Sequence, residues 1–402
     1  MTSAVPKGWR VELLDKVTRR GSGHTPDRKV DNYWNGGVKW VSLADSFRLD
    51  RVTISETEFE ISDDGIAHSS AVKHPAGVVI VSRDAGVGKS AVTTDEMAVS
   101  QHFIAWACGP ELHNYYLYYW LQMAKPHFER MAVGSTIKTI GLAFFERLKI
   151  TLPPEAEQRK IAGILLCWDR AIGLVEGLLR VKGERKRGLM RRLLTGETRL
   201  REFKGERWRK YRLGELLEDV DRYVKFNDEH TYKLASIRRR SEGLFFREAL
   251  QGKDIKTKVM KTIRAGDFLL SKMQVVHGAW GLVTPEFDGM FVSDSYISLV
   301  PRNGSALKIE FLSYLSRMRF MRHLAYICSH GVHIEKMTFS LDDFLGEKIT
   351  IPPTLEEQAR IVGVLSACDR EIELLQKQLA ALKEQKRGLM QKLLTGEVRV
   401  KV

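Results

Sequence analysis

The feature that most constrains this chain is an internal duplication. Glu157-Gln158 recurs as Glu357-Gln358, and at that single offset Ile161 falls on Ile361, Gly163 on Gly363 and Leu165 on Leu365. Asp169-Arg170 and Ile172 fall on Asp369-Arg370 and Ile372. Lys186-Arg187-Gly188-Leu189-Met190 recurs as Lys386-Arg387-Gly388-Leu389-Met390, and Leu193-Leu194-Thr195-Gly196-Glu197 as Leu393-Leu394-Thr395-Gly396-Glu397. About half of the aligned positions are identical without a gap, which chance does not produce. Each copy opens on a double proline, Pro153-Pro154 or Pro352-Pro353. Proline blocks backward extension of a helix and presets its first turn.

Each copy reads as one long helix. In the first, the apolar seam is Ile161, Leu165, Trp168, Ile172, Val175, Leu179, Lys182, Lys186, Leu189 and Leu193, with steps alternating between four and three. The second repeats those steps with Ile361, Leu365, Cys368, Ile372, Leu375, Leu379, Leu382, Lys386, Leu389 and Leu393. That is a heptad seam, the mark of a coiled coil. Gly163, Gly173, Gly177, Gly183 and Gly188 each cost the first helix up to about 1 kcal/mol, so packing rather than propensity must hold it, and the other copy is its natural partner. About 40 residues rising 1.5 Å each make a rod of roughly 60 Å. Thr195-Gly196 and Thr395-Gly396 supply the stops.

The stretches before the helices are far less alike in sequence, yet they share a layout. Trp9-Arg10 with Leu13-Leu14 parallels Trp208-Arg209 with Leu216-Leu217. Ala76 to Arg83 parallels Ala265 to Lys272, and Val99-Ser100-Gln101-His102-Phe103 parallels Val292-Ser293-Asp294-Ser295-Tyr296. Apolar runs predict strands at Val38 to Leu43, Val78 to Ser82 and Val292 to Val300, and closing strands at Lys149 to Leu152 and Lys348 to Ile351. Helical periodicity predicts helices at Glu111 to Met123, Leu307 to Met318, Leu142 to Arg147 and Leu341 to Leu345. The expected fold class is α+β. Two similar globules, 1–152 and 201–351, alternate with two helices, 153–200 and 352–402, that repeat each other.

Composition narrows the function. Of 402 residues, 64 are Lys or Arg and 50 are Asp or Glu, a net charge of +14 that favours a polyanionic partner such as nucleic acid. The four cysteines, Cys108, Cys167, Cys328 and Cys368, form no CxxC pair, which argues against a disulfide scaffold or zinc ribbon and suits a reducing cytosol. Neither a secretory apolar segment at Met1 to Asp15 nor a membrane-spanning apolar run is present, so a cytoplasmic location is expected.

Catalytic motifs are not found. Gly88-Lys89-Ser90 resembles the end of a phosphate-cradling loop, but Arg83 stands where the motif needs glycine; a tight turn after the Val78–Ser82 strand is the plainer reading. His333-Ile334-Glu335 lacks the downstream cysteines of a zinc deaminase and reads as a surface loop. Leu152 and Ile351 precede the prolines where an adenine methyltransferase needs a polar side chain. Asp63-Asp64 and Asp342-Asp343 are isolated pairs suited to turns or caps. No metal or cofactor site is expected. Tyr115-Tyr116 and Tyr118-Tyr119-Trp120, at helical spacing with Leu112, Leu117 and Leu121, read as a packing face. Basic residues from Arg180 to Arg212 read as a solvated helix end and linker, or as a phosphate or partner contact. Arg238-Arg239-Arg240, just past an apparent strand, is the sharper candidate for nucleic acid.

Two dissimilar α+β globules, each followed by a near-identical proline-led helix, resemble the specificity (HsdS-type) subunit of type I restriction-modification systems. The carrying residues are Leu152-Pro153-Pro154 with Glu157-Gln158, Ile351-Pro352-Pro353 with Glu357-Gln358, and both Lys-Arg-Gly-Leu-Met…Leu-Leu-Thr-Gly-Glu tails. The resemblance spans essentially the whole chain. It implies that each globule is a target recognition domain reading one half of a split, asymmetric duplex DNA target. It implies that the two helices pair as an antiparallel coiled coil with pseudo-twofold repetition, that the coil docks two modification (methyltransferase) subunits, that restriction subunits join, and that adenine methylation and ATP-dependent cleavage lie in those partners. The chain itself is then non-catalytic and cofactor-free. Physically, a rigid rod fixes the distance between two readers, and one DNA turn of about 34–36 Å is within its reach. Basic charge supplies affinity without sequence information, while polar loop side chains read bases.

Corresponding loops then supply the DNA-binding candidates. In the first domain these are Lys39, Arg83, Lys89, Ser135, Thr136 and Lys138. In the second they are Arg238, Arg239, Lys272, His277, His330, His333 and Lys336. The Gly134-Ser135-Thr136 and His330-Gly331-Val332-His333 loops occupy matching places ahead of matching helices. The Gly86 to Lys89 turn of the first domain is replaced by His277-Gly278-Ala279-Trp280-Gly281 in the second, a departure from the repeat. Coil or partner contacts are expected from Ile161, Leu165, Trp168, Ile172, Leu179, Ile361, Leu365, Ile372, Leu379 and Leu389, and an exposed coil surface predicts poor solubility without partners. The competing readings are an enzyme, which needs a cofactor or metal motif, and a coiled-coil adaptor or orphan DNA-binding protein without an active complex. Salt-sensitive duplex binding separates a DNA reader from an adaptor.

Overall fold

The structure, a computed structural model, describes residues 5–331, 333 and 337–402. The two double prolines do what their chemistry dictates. Helices begin directly behind them and run from Glu155 to Leu194 and from Leu355 to Thr395. Both stop ahead of a glycine with positive φ, +74° at Gly196 and +71° at Gly396, a backbone turn that side chains with a Cβ resist. Every predicted seam position is buried or half-buried, including Trp168, Cys368, Leu382 and the three seam lysines Lys182, Lys186 and Lys386.

The chain forms two compact units, and the division falls inside both helices. One unit holds residues 5–177 with 376–402; the other holds 178–375. Each therefore contains a globule, the N-terminal half of one long helix and the C-terminal half of the other.

In the first unit, a five-stranded sheet runs in the order Thr18–Ser22, Phe103–Cys108, Val79–Ser82, Ser90–Thr93, Thr53–Ile54. Val79–Ser82 is buried along its whole length, which explains its continuous apolar run. A second sheet runs Phe59–Ile61, Trp34–Val41, Met97–Val99, Lys73–His74, with Trp40 opposite Ala98 in parallel. Arg10–Leu13 pairs with Lys149–Leu152 and closes the globule against the prolines. Its core of Trp106, Tyr116, Leu117, Tyr119 and Phe145 continues into Ile161 and Leu165 of one helix and Leu393 and Leu394 of the other.

The second unit repeats that plan. One sheet runs Leu217–Asp219, Tyr296–Pro301, Phe268–Ser271, Trp280–Leu282, and the other Leu244–Gln251, Thr231–Ile237, Phe291–Ser293, Met260–Thr262, with Leu234 opposite Phe291 in parallel. Arg209–Arg212 pairs with Lys348–Ile351. Phe268, Trp280, Phe311 and Phe344 pack with Ile361, Leu365, Leu193 and Leu194.

The helix halves within each unit are antiparallel and held by complementary charge. In the first unit Lys386 reaches Asp169 at 2.6 Å and Lys383 reaches Glu176 at 2.7 Å. In the second, Lys186 pairs with Asp369 and Lys182 reaches Glu371 at 2.5 Å. In both units the later residue of one helix meets the earlier residue of the other.

Several element boundaries differ from the sequence expectation. The aromatic helix runs from Asn114 to Met131, not from Glu111, because Pro110 to Leu112 form a turn and His113 is extended, and the helix continues through Pro126. Tyr116, Tyr118, Tyr119 and Trp120 are buried on it, a packing face as expected. The helix expected at Leu307 to Met318 is shorter, Ile309–Leu315, and a second helix, Arg319–Ile327, follows it. Val292 to Val300 is two strands broken by a turn at Asp294-Ser295, and the first-domain strand spans Trp34–Val41 rather than Val38 to Leu43. The short helices are Leu142–Glu146 and Leu341–Gly346. Asp63-Asp64 and Asp342-Asp343 lie in the first turns of helices capped by Ser62 and Ser340.

Candidate nucleic-acid interface

The repeated Glu-Gln pairs hold each globule to its helices. Glu157 accepts the Trp9 indole N–H at 3.0 Å and two Arg399 guanidinium bonds at 2.7 and 2.8 Å. Glu357 accepts Trp208 at 3.2 Å and Arg199 at 2.6 and 2.8 Å. Burial pushes the Glu157 carboxyl up, but Arg399 and Trp9 outweigh it and leave it below the usual range. Gln158 accepts from the His113 backbone and donates to the Glu111 and Pro153 carbonyls. Gln358 does the same with Lys308, Ala306 and Pro352. Tyr119 donates to Asp169 and Tyr314 to Asp369, and burial first, then the carboxylate, holds both phenols protonated. These bonds tie each globule to its helices, and the candidate contact rim is built separately from the loops at the sheet ends.

In the first domain that rim is the connection from Val79–Ser82 to Ser90–Thr93. The chain reverses through Ala85, Gly86 and Gly88, with φ of +42°, +119° and +82°. The Arg83 backbone N–H donates to the His102 carbonyl at 2.9 Å, and Arg83 exchanges bonds with Ile140, its Nε donating at 3.2 Å and its carbonyl accepting at 3.0 Å. Ile140 ends a loop closed by the Val133 and Thr139 backbones, and Asp84 bridges to Thr139. Gly134 opens that loop at φ +133°, where a Cβ would stand 2.2 Å from the Ile137 carbonyl. Arg83, Lys89 and the exposed Ser135, Thr136 and Lys138 are thereby gathered on one rim. Lys89 is in the expected tight turn, its ammonium 3.0 Å from the Ser46 carbonyl.

Lys39 is placed differently. It lies on Trp34–Val41 in the other sheet, bonded to Asp95 at 2.8 Å and to the Ser55 carbonyl at 2.6 Å. Asp95 holds the Lys39 ammonium above its ordinary pKa. Among the described residues no hydrogen bond or ion pair ties it to the Arg83 rim.

In the second domain Arg238 follows directly on Thr231–Ile237. Its guanidinium lies 4.8 Å from the Phe245 ring centroid. Arg240 and Ser241 both turn left-handed, at φ +61° and +57°, and their N–H groups donate to the His277 and Gly278 carbonyls at 2.8 Å each. Trp280 donates to Ser241 Oγ at 2.7 Å. The arginine triplet is thus stapled to the connection that carries Lys272 and His277. His330, on Ser329–His330, contacts Asp343 at 2.7 Å and holds that carboxyl below its usual range. His333 is exposed. Lys336, with Ile334 and Glu335 of the HxE triplet, lies outside the described residues.

The two rims match in topology. Arg83 and Lys272 each stand one residue past the central strand, and each donates its backbone N–H to the same neighbouring position, His102 or Ser295, at 2.9 Å. Gly134 and Gly331, at φ +133° and +148°, open the corresponding loops. Sequence reasoning missed His102 and Asp84, whose Nδ1 to Oδ2 contact of 2.7 Å spans 18 positions and leaves no local pattern. It also missed Arg199 and Arg399, though both follow the Thr-Gly-Glu tails at the repeat offset.

Among the described residues no group of three or more His, Cys, Asp or Glu could hold a metal ion, and no helix is long and apolar enough to cross a membrane. Burial pushes the Cys328 thiol up to about 11 and Cys108 up to about 12, far from reactive thiolates.

Comparison with known proteins gives one answer. The family described as type I restriction modification DNA specificity domain matches twice, at residues 6–181 and 205–384. The type I restriction enzyme MjaVIII specificity subunit of Methanocaldococcus jannaschii is 23% identical over 99% of this chain and 94% of its own. The putative MjaX specificity subunit of that organism is 25% identical over 99% and 95%. Among solved structures, the type I restriction-modification S subunit from M. genitalium aligns with a TM-score of 0.58 at 14% identity, covering 96% of each chain. The HsdS subunit from Thermoanaerobacter tengcongensis aligns at 0.50 and 18%, covering 99% of each chain. At those identities the structures speak for the fold, and the doubled family match decides the rest: the chain belongs to the type I restriction-modification DNA specificity family, as a DNA-recognition subunit with two specificity domains.

Proposed function

We propose that each domain reads one half of a bipartite, asymmetric duplex target through the rim described above. The observation that carries this is one topology with two different polar sets. We assign Arg83, Lys89, Ser135, Thr136 and Lys138 to the first rim and Arg238, Arg239, Lys272 and His277 to the second, with His330, His333 and Lys336 on the segment that corresponds to the Gly134-Ser135-Thr136 loop. Basic side chains would hold phosphates and fix register, while the polar groups between them read base edges in the groove. Different sets at matching places imply different half-sites, so the target is no palindrome. Lys39, neutralised by Asp95, would join only by exchanging that partner.

The chain carries no reaction in this reading. It presents DNA to two methyltransferase subunits docked on the paired helices, with restriction subunits joining them. Adenine methylation and ATP-dependent cleavage belong to those partners, in the cytoplasm. A structure of a type I restriction-modification system solved for its complex assembly and conformational transition aligns with this chain at a TM-score of 0.56, covering 98% of it. That fold supports an assembling role.

The test is genome-wide adenine methylation in the native host with and without this gene. Loss of one split motif is expected, and replacing residues of one rim should alter only one half. If no motif disappears, and the chain with its partners shows no salt-sensitive duplex binding, the reading is wrong.

A further inference from the structure

We infer that His102 is a specificity-determining residue of the first domain and that Asp84 is its positioning residue. This rests on the DNA-recognition reading above. His102 stands beside Arg83 on the rim, since its carbonyl accepts the Arg83 N–H at 2.9 Å. Its imidazole is fixed from one side: Nδ1 lies 2.7 Å from Asp84 Oδ2, on a carboxylate that is 13% exposed while the imidazole is 34% exposed. A carboxylate only accepts, so Nδ1 carries the proton and Nε2 is the nitrogen left to meet a ligand. A ring held in one tautomer and one orientation is what base reading requires, and a mobile lysine does not provide it.

The arrangement is costly to the free protein. Asp84 Oδ1 is buried without a hydrogen-bond partner, and the next residue, Ala85, sits at φ +42°. An unpaired buried carboxylate oxygen and a left-handed alanine destabilise the fold, and such strain concentrates at binding sites. The second domain supplies an internal comparison. Ser295 occupies the matching place, its carbonyl accepting the Lys272 N–H at 2.9 Å and its hydroxyl 2.7 Å from Ser293 Oγ. Two readers of different half-sites should differ where a side chain meets a base edge, and here an oriented imidazole replaces a hydroxyl.

The experiment uses the full chain assembled with its methyltransferase subunits, and a duplex pool randomised over the target. Bound duplexes are selected and sequenced for wild type, His102→Ala, His102→Gln and Asp84→Asn. His102→Ala should lose about ten-fold discrimination at one base pair of the first half-site. Asp84→Asn, which keeps the side-chain shape, should lose part of it at that same base pair. The second half-site should stay intact in all variants, which reports that the complex still folds and binds. Unchanged first-half preferences in both His102 variants overturn the proposal while the DNA reading stands. Equal weakening at every first-half position also overturns it, because that is the behaviour of a loop staple. A wild-type complex that selects no motif defeats the underlying reading instead.

Discussion

Arg399 grips Glu157 with two hydrogen bonds, 2.7 and 2.8 Å long, across 242 positions of sequence. Arg199 grips Glu357 in the same way at 2.6 and 2.8 Å. In each unit, the tail behind one long helix locks the first turn of the other, with a tryptophan indole closing the clamp. A carboxylate with no exposed surface, such as that of Glu357, is tolerated only because it is fully paired. Glu357→Ala should therefore destabilise the second unit by about 3–5 kcal/mol, since it leaves a largely buried guanidinium with only the Glu206 and Phe203 carbonyls and no carboxylate. Urea unfolding, with hydrogen exchange to report which unit opens, measures it. A loss below about 1 kcal/mol would show the clamp to be ornamental.

Acid should open the first clamp. The folded Glu157 carboxyl titrates below its ordinary value of 4.5, so the unfolded chain binds its proton more readily than the folded one. The stability it contributes is present above the unfolded pKa and is lost as pH falls through the folded pKa. Denaturant midpoints followed from pH 7 down to pH 3 should fall more steeply in wild type than in Glu157→Gln, which has no proton to gain. Parallel curves would remove Glu157 from the acid response.

Much of this fold was legible because the duplication could be read twice. The heptad seam, the proline starts and the glycine stops are local chemistry, and the structure follows them residue by residue. The clamps were not legible. Trp9, Glu157 and Arg399 come together only after the chain has folded, and a Glu-Gln pair at a helix start looks like ordinary first-turn composition. The rim was half legible. Arg238 was placed by the strand before it and Arg83 by the repeat. His102 was not, because a histidine in a turn announces nothing until Asp84 is seen against it. Lys39 was not placed by the sequence: it lies on a strand of the other sheet, bonded to Asp95 and the Ser55 carbonyl.

Charge order selects the antiparallel pairing, but its pairs are unequal. Lys383 and Glu176 are both about half exposed, so Lys383→Ala should cost no more than about 1 kcal/mol. Lys386 is 18% exposed at the Asp169 contact and lies 5.2 Å from the Tyr119 ring centroid. Lys386→Ala should therefore cost clearly more than Lys383→Ala, and adding salt should weaken Lys383 the more. Thermal unfolding of the two variants at low and high salt decides it; equal losses would mean that the registry comes from the apolar seam alone.

Gly134 should be intolerant of any side chain. Its φ of +133° is strained for L-residues, and a Cβ there would stand 2.2 Å from the Ile137 carbonyl. Gly134→Ala must displace the loop carrying Ser135, Thr136 and Lys138, at a cost above about 1 kcal/mol. The expected result is weaker or altered reading of the first half-site with the second half unchanged, seen by mapping methylated motifs. An unaltered first half-site would take this loop out of the interface.

Leu174 and Leu374 occupy the same place in the two helix copies, and both are apolar side chains left about two-thirds exposed. Nothing in either unit's own packing asks for leucine there, and a polar residue would be better solvated. Exposed apolar side chains repeated on equivalent helix faces suit a partner that covers each copy alike, as the two methyltransferase subunits of the proposed assembly would. Leu174→Asp and Leu374→Asp should each shift stability by no more than about 0.5 kcal/mol, because neither side chain is buried. The double variant should lose co-purification with the methyltransferase subunit, and each single variant should lose one copy of it, read as the mass of the assembled complex. Full assembly of the double variant would place the docking surface elsewhere on the chain.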